Sequence, residues 1–205
     1  DLFKDTWETM PSKSEGKRLE LFHRAEEKFI VSFIRSKGKS KVLDLGCGLG
    51  RILSRLAEKK LNLHGIDFSQ KMIDAAKKSV PDGVFLICDI TGRLPYNDDS
   101  FDYVICTGNT LGNIADPFSV VKEACRLLDK KGTAIFGVYN GEYLTFDFVS
   151  WYYDKLHSHY GPYFPFTLEQ YDKKKNLVKY NESLFSHWFE KNEVKDLMQK
   201  AGFSD

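Results

Sequence analysis

Val42-Leu-Asp-Leu-Gly-Cys-Gly-Leu-Gly-Arg51 is an apolar strand that runs directly into three glycines at alternate positions, with a carboxylate two residues before the first. A glycine takes positive φ without strain and lets the backbone approach a ligand closely. Gly46, Gly48 and Gly50 therefore describe a tight loop beneath something flat or extended. A helix is expected to open directly afterwards, over 52–59, and its first N–H groups lack intrahelical partners. Asp44 is the unusual residue, because a carboxylate in a buried strand is costly unless it is paired or hydrogen-bonded. It stands where it can hold the loop's amides or meet a cationic group. The stretch reads as a cofactor-binding loop.

Around this loop, apolar runs alternate with helical patterns, which implies a parallel sheet wrapped by helices. Strands are expected at 41–45, 61–66, 84–88, 103–107 and 133–139, and helices at about 17–37, 52–59, 69–79, 116–128 and 193–201. Asp116 before Pro117 is a helix start, and Gly202 is a helix stop. Only residues 91–100 link the third strand to the fourth, close to the minimum for a parallel crossover, so little or no helix is expected there. Right-handed crossovers then give an α/β, Rossmann-like, doubly wound sheet of order 3-2-1-4-5 with helices on both faces. Ligands of such sheets sit beyond the carboxyl ends of the strands, where the strand order reverses. The chain reads as one domain: an N-terminal helical segment over 1–37, a cofactor-binding core over 38–140, a cap insertion over 141–190 and a C-terminal helix over 191–205.

Composition excludes several classes. Thirty basic and twenty-nine acidic residues leave a net charge of +1, so no overall field steers the chain toward nucleic acid. No apolar run approaches the ~20 residues of a membrane span, and no signal-peptide layout appears, so the cytoplasm is the expected compartment. Cys47, Cys88, Cys106 and Cys125 lack metal-ligand spacing; three of them sit at or just after strand runs and read as reduced apolar packers. No metal is expected.

The glycine spacing separates two cofactor classes. A dinucleotide fingerprint, G-x-G-x-x-G, would place its third glycine at residue 51, which is Arg51. The acidic-x-G-x-G-x-G pattern found here resembles instead the first motif of the class I S-adenosylmethionine-dependent methyltransferases. The resemblance covers about 40–140, and 189–203 resembles that family's penultimate helix and Ala-Gly-Phe exit. It implies S-adenosylmethionine as cofactor and S-adenosylhomocysteine as product. The family's closing two-strand hairpin is expected to be absent, trimmed or replaced.

On this resemblance, Asp44, Gly46, Gly48 and Gly50 shape the methionyl pocket, and Cys47 and Arg51 are further cofactor-binding candidates of the same loop. Asp67, just past the second strand, accepts the ribose hydroxyls through charge-assisted bonds of roughly 1.5–3 kcal/mol each. Its alternative role is only to favour the following helix dipole. Ser69 caps that helix, while Phe68 and Met72 flank the adenine. Asp89 and Ile90 meet the adenine amino group and a ring nitrogen. Thr107, Gly108 and Asn109 border the reacting centre beside the sulfonium. Trp7 and Arg18 are further candidates to fold over the cofactor.

The acceptor is read from what lies after the fifth strand. Residues 139–166 hold eleven aromatics in 28 positions, a composition suited to an amine or sulfonium through cation–π attraction, or to a packing lid or dimer surface. His157 and His159 are candidate bases or solvated loop histidines, and no catalytic residue is assigned. Thr-Gly-Asn-Thr after the fourth strand differs from the Asn/Asp-Pro-Pro-aromatic of amino-methylating nucleic-acid enzymes. It is similar to the segment in glycine and sarcosine N-methyltransferases. The expectation is a methyl transferase for a small molecule, an amine, with no nucleic-acid or membrane partner. An NAD(P)-linked oxidoreductase and a non-catalytic scaffold of the same fold remain open alternatives.

Overall fold

Val42, Leu43, Asp44 and Leu45 are all buried, so the run becomes a strand covered on both faces rather than an amphipathic one. The computed structural model describes residues 17–35, 39–143, 171–175, 177–179 and 185–204. Its main sheet contains β1 (Lys41–Leu45), β2 (Asn62–Asp67), β3 (Val84–Ile87), β4 (Phe101–Cys106) and β5 (Leu128–Phe136). The order is β3-β2-β1-β4-β5 and every pairing is parallel, as the crossover argument requires. Asp44 lies opposite Gly65 on one side and Ile105 on the other, at the reversal point.

Side-chain alternation sorts the core into two layers. Leu43, Leu45, Val104 and Cys106 face Val120, Val121, Ala124 and Leu127 of α4 (Pro117–Leu127) and Ala201 of α5 (Lys191–Ala201). Val42 and Ile105 face the other layer, where Ile30 lies on α1 (Lys17–Phe33), Leu53 on α2 (Arg51–Leu56) and Ile73 on α3 (Gln70–Ser79). Ser69 caps α3 by accepting the Met72 N–H at 3.3 Å, and Asp116 caps α4 with Pro117 in its first turn. Gly202 closes α5 in the left-handed region, at φ 106°.

The 91–100 link carries no helix, and one side chain organises it. Arg126 donates to Tyr96 O at 3.0 Å, Leu94 O at 3.3 Å and Asp98 Oδ1 at 2.6 Å, and it is paired with Glu123. Glu123 also accepts the Leu94 N–H at 2.7 Å. A short crossover thus gains from α4 the partners that a helix would have supplied internally.

Three differences from the expected elements have physical causes. Strand β5 begins at Leu128, opposite Phe101, and resumes register at Thr133 opposite Tyr103, so residues 129–132 bulge out between the two pairings. The Lys-Lys-Gly signal marked that bulge rather than the strand's start; a Cβ on Gly132 would lie 2.7 Å from Leu128 Cγ. Helix α1 stops at Phe33 instead of 37, where Lys59 Nζ takes the Val31 and Ile34 carbonyls at 2.6 and 2.9 Å. The expected cap region contains an antiparallel sheet of β6 (Tyr171–Asp172), β7 (Leu177–Lys179) and β8 (Phe185–His187), which no alternation in so short a run announced.

Candidate functional site

The loop after β1 is shaped by the three glycines. Gly46, Gly48 and Gly50 have φ of 72°, 51° and 77°, which disfavour any residue with a Cβ. Gly46 is also sterically necessary, because a Cβ would approach Thr110 Cγ2 to 2.7 Å. Gly48 differs: a Cβ there meets nothing within 4 Å, so the loop's centre faces open space. The loop is tied to β2 by Gly46 N and Cys47 N, which both donate to Ile66 O at 2.8 and 2.9 Å.

Asp67 binds both sides of this edge. Its Oδ2 accepts the Gly48 N–H at 2.9 Å and its Oδ1 the Ser69 N–H at 3.0 Å. The carboxylate therefore joins the glycine loop to the start of α3.

Asp44 is the exception to the satisfied network. It is 1% exposed, and its Oδ1 has no hydrogen-bond partner among the described residues. Desolvation pushes its carboxyl up to about 7; Arg51 opposes this, while the nearby Glu26 and Asp67 carboxylates add to it. A fully buried carboxylate with one orphaned oxygen is unfavourable when ionised and well suited to a cationic partner. Cys47 and Cys106 are likewise buried beside it, and desolvation raises both thiols well above their ordinary range, leaving them protonated packers.

The strand ends beyond β3 and β4 bring the remaining candidates to the same edge in different ways. Asp89 is exposed, and its Oδ1 accepts both the N–H and hydroxyl of Thr91, at 2.9 and 2.8 Å. Ile90 packs into the core at 8% exposure, and Phe68 is 37% exposed. After β4, Thr107 O accepts the Thr110 hydroxyl at 2.7 Å, and Gly108 turns at φ 63° with open space where a Cβ would be. Asn109 does not present its amide to that space. It is 1% exposed; Nδ2 donates to Ser186 Oγ and His187 O at 3.0 and 3.2 Å, and Oδ1 accepts the Tyr139 N–H at 2.9 Å. Its side chain braces β8 against the end of β5, while its backbone stays in the turn expected to border the reacting centre.

Arg51 is engaged by α1. Its guanidinium bonds Glu26 Oε2 at 2.7 Å, Glu27 Oε1 at 3.1 Å and His23 O at 3.2 Å. Arg55 adds Glu27 at 3.3 Å, and with Lys59 these cations form a stripe at four-residue spacing that clasps α1. Glu26 was not evident from the sequence, since nothing near it in the chain marks a site 25 residues before Arg51. Only the Arg51-Arg55-Lys59 spacing hints that an acidic helix lies opposite. Trp7, His157, His159 and the aromatic stretch beyond Tyr143 lie outside the described residues, as does the Arg18 side chain.

Residues 36–202 match the methyltransferase domain family. The chain belongs to that family. Within it, the class I S-adenosylmethionine-dependent fold is matched by solved structures, including the PH0226 protein from Pyrococcus horikoshii at TM-score 0.67 and 21% identity, with 97% of this chain and 89% of that one covered. Among sequence relatives, a demethylmenaquinone methyltransferase of Thermotoga maritima is 31% identical over 147 residues, 62% of this chain and 63% of that protein. A ubiquinone biosynthesis O-methyltransferase of Coxiella burnetii is 30% identical over 143 residues, 68% of this chain and 59% of that protein. The matched region thus spans less than two thirds of the length of either methyltransferase. No described helix is long and apolar enough to cross a membrane.

Proposed function

We propose that this chain transfers the S-methyl group of S-adenosylmethionine to a small organic acceptor. The observation that carries the reading is the unpartnered Asp44 Oδ1, fully buried under a loop of three positive-φ glycines. A donor with an α-ammonium group supplies the missing positive partner. Its ribose diol suits the Asp67 carboxylate at the end of β2, and Gly48 and Gly108 leave room for its backbone-hugging parts. These features fit the donor on the chemistry of the residues present.

When bound, S-adenosylmethionine supplies an electrophilic methyl on a sulfonium, and displacement there needs no metal. The chain's task is to bind, align and exclude water. Asp44 and Asp67 fix the two polar ends of the donor, and Asp89 keeps one oxygen free of Thr91 for the adenine edge. The loop of Thr107 and Gly108 borders the sulfur. No side chain is assigned as a base, because alignment supplies most of the acceleration in such a transfer.

The acceptor is an amine on the evidence of the aromatic-rich stretch after β5 and the Thr-Gly-Asn-Thr segment. A second reading, an aromatic quinol or phenol, is favoured by the names of the relatives, and stacking on the same aromatics serves it. Labelled-methyl transfer to matched panels of amines and of quinols separates the two. Calorimetry that finds nicotinamide dinucleotides binding more tightly than S-adenosylmethionine would overturn both. Donor binding with no transfer to either panel would leave the scaffold alternative.

A further inference from the structure

We propose that Glu26 is a positioning residue of the donor site, acting through the Gly108 amide, so that the N-terminal helix is a working part of that site. The inference rests on the methyl-donor reading and adds to it a residue from outside the glycine loop. Glu26 reaches from α1 across the carboxyl edge of the sheet and touches three strand ends at once. Its Oε2 pairs with Arg51 after β1 at 2.7 Å, and its Oε1 accepts the Gly108 N–H after β4 at 3.1 Å. Its carboxylate lies so close to the turn after β5 that a Cβ on Gly137 would collide with Oε1.

The position is not that of a surface tether. The Glu26 side chain is 8% exposed, and a carboxylate so enclosed needs its bonds. Gly108, like Gly48, has open surroundings where a Cβ would project. A left-handed turn with open space beside it has little to hold its position except its hydrogen bonds. The Gly108 N–H is held by Glu26, and the neighbouring Asn109 N–H bonds Gly137 O at 3.1 Å. Glu26 thereby sets where the loop stands relative to the donor's methionyl end before the donor arrives. Such preorganisation raises affinity by removing an ordering cost on binding.

Helix α1 is also held by contacts remote from the loop, and these provide the control. Lys59 binds the Val31 and Ile34 carbonyls, at the end of α1 beyond Glu26. Calorimetric titration of the full chain with S-adenosylmethionine and with S-adenosylhomocysteine is the test. Glu26→Ala should weaken both ligands at least tenfold. Lys59→Met, which loosens the same helix, should change them less than threefold even where it lowers the melting temperature as much.

Two conservative variants keep the test informative if Glu26→Ala fails to fold. Glu26→Gln retains an oxygen for the Gly108 N–H and should bind within about threefold of wild type. Glu26→Asp retains the charge for Arg51 but falls a methylene short, and should lose about tenfold. Equal losses in Glu26→Ala and Lys59→Met, or tighter binding by Glu26→Asp than by Glu26→Gln, would overturn the proposal. Wild-type protein that binds neither ligand would overturn the methyl-donor reading itself, a result distinguishable from failure at Glu26.

Discussion

Arg126 and Asp44 are both charged groups in enclosed surroundings, and the structure treats them oppositely. Arg126, with a side chain 14% exposed, has partners in Glu123, Asp98 and the Leu94 and Tyr96 carbonyls. Asp44, 1% exposed, leaves Oδ1 without one among the described residues. The first arrangement closes a crossover with no helix of its own, and its bonds have no need of a ligand. The second retains an unfavourable charge at the strand-order reversal, relieved by protonation or by a cationic partner. A completed polar network accounts for itself structurally, whereas an orphaned buried oxygen calls for an explanation.

Substitutions at the two regions should therefore separate stability from donor affinity. The largest effect is expected at Asp67, to which the proposed reading gives a part in both. If it holds the ribose, Asp67→Ala removes two charge-assisted bonds worth roughly 3–6 kcal/mol together, so donor affinity should fall about 100-fold or more by calorimetry. The Gly48 and Ser69 amides lose their acceptor too, so the melting temperature should also fall. Unchanged affinity would remove Asp67 from the donor site.

Arg126→Met comes next and should divide the two properties cleanly. Leaving Glu123 enclosed without its partner should cost about 2–4 kcal/mol in chemical denaturation. Donor affinity should stay within twofold, and a large affinity loss would show that the crossover and the site are not separable.

Asp44→Asn should move the two properties in opposite directions. The folded carboxyl is raised to about 7 from an ordinary 3.8, so it keeps its proton while the unfolded one ionises, and stability falls as pH rises from about 4 to 7. Above pH 7 the buried charge is a net cost, and the asparagine should stabilise the ligand-free protein at pH 8 by about 1–3 kcal/mol. Donor affinity should fall about tenfold. The smallest effect is expected from Ser69→Ala, which removes the cap of α3 and should cost about 1 kcal/mol of stability.

Much of this architecture was legible in the chain itself. The run of four buried residues in β1, the Ser69 and Asp116 caps and the Gly202 stop are local signals, and the strand order follows from handedness. The glycine loop was legible because positive φ leaves few other residues possible. The bracing bonds of Asn109 left no signal, because small polar neighbours look the same whether they face a ligand or β8, 77 residues away. Glu26 was missed for the same reason: its bond to Gly108 spans 82 residues and leaves no periodic trace. The β6-β7-β8 sheet eluded reading because two- and three-residue strands are too short to show alternation.

The most direct test of Asp44 as the receptor for the donor's ammonium is the pH dependence of S-adenosylhomocysteine affinity between pH 5.5 and 7, measured by calorimetry. If the ammonium ionises a carboxyl that otherwise titrates at about 7, binding releases a proton and affinity falls as pH drops, by up to about tenfold per unit. That slope should vanish in Asp44→Asn. A flat profile in the wild-type protein, or the same slope in both, would contradict the account.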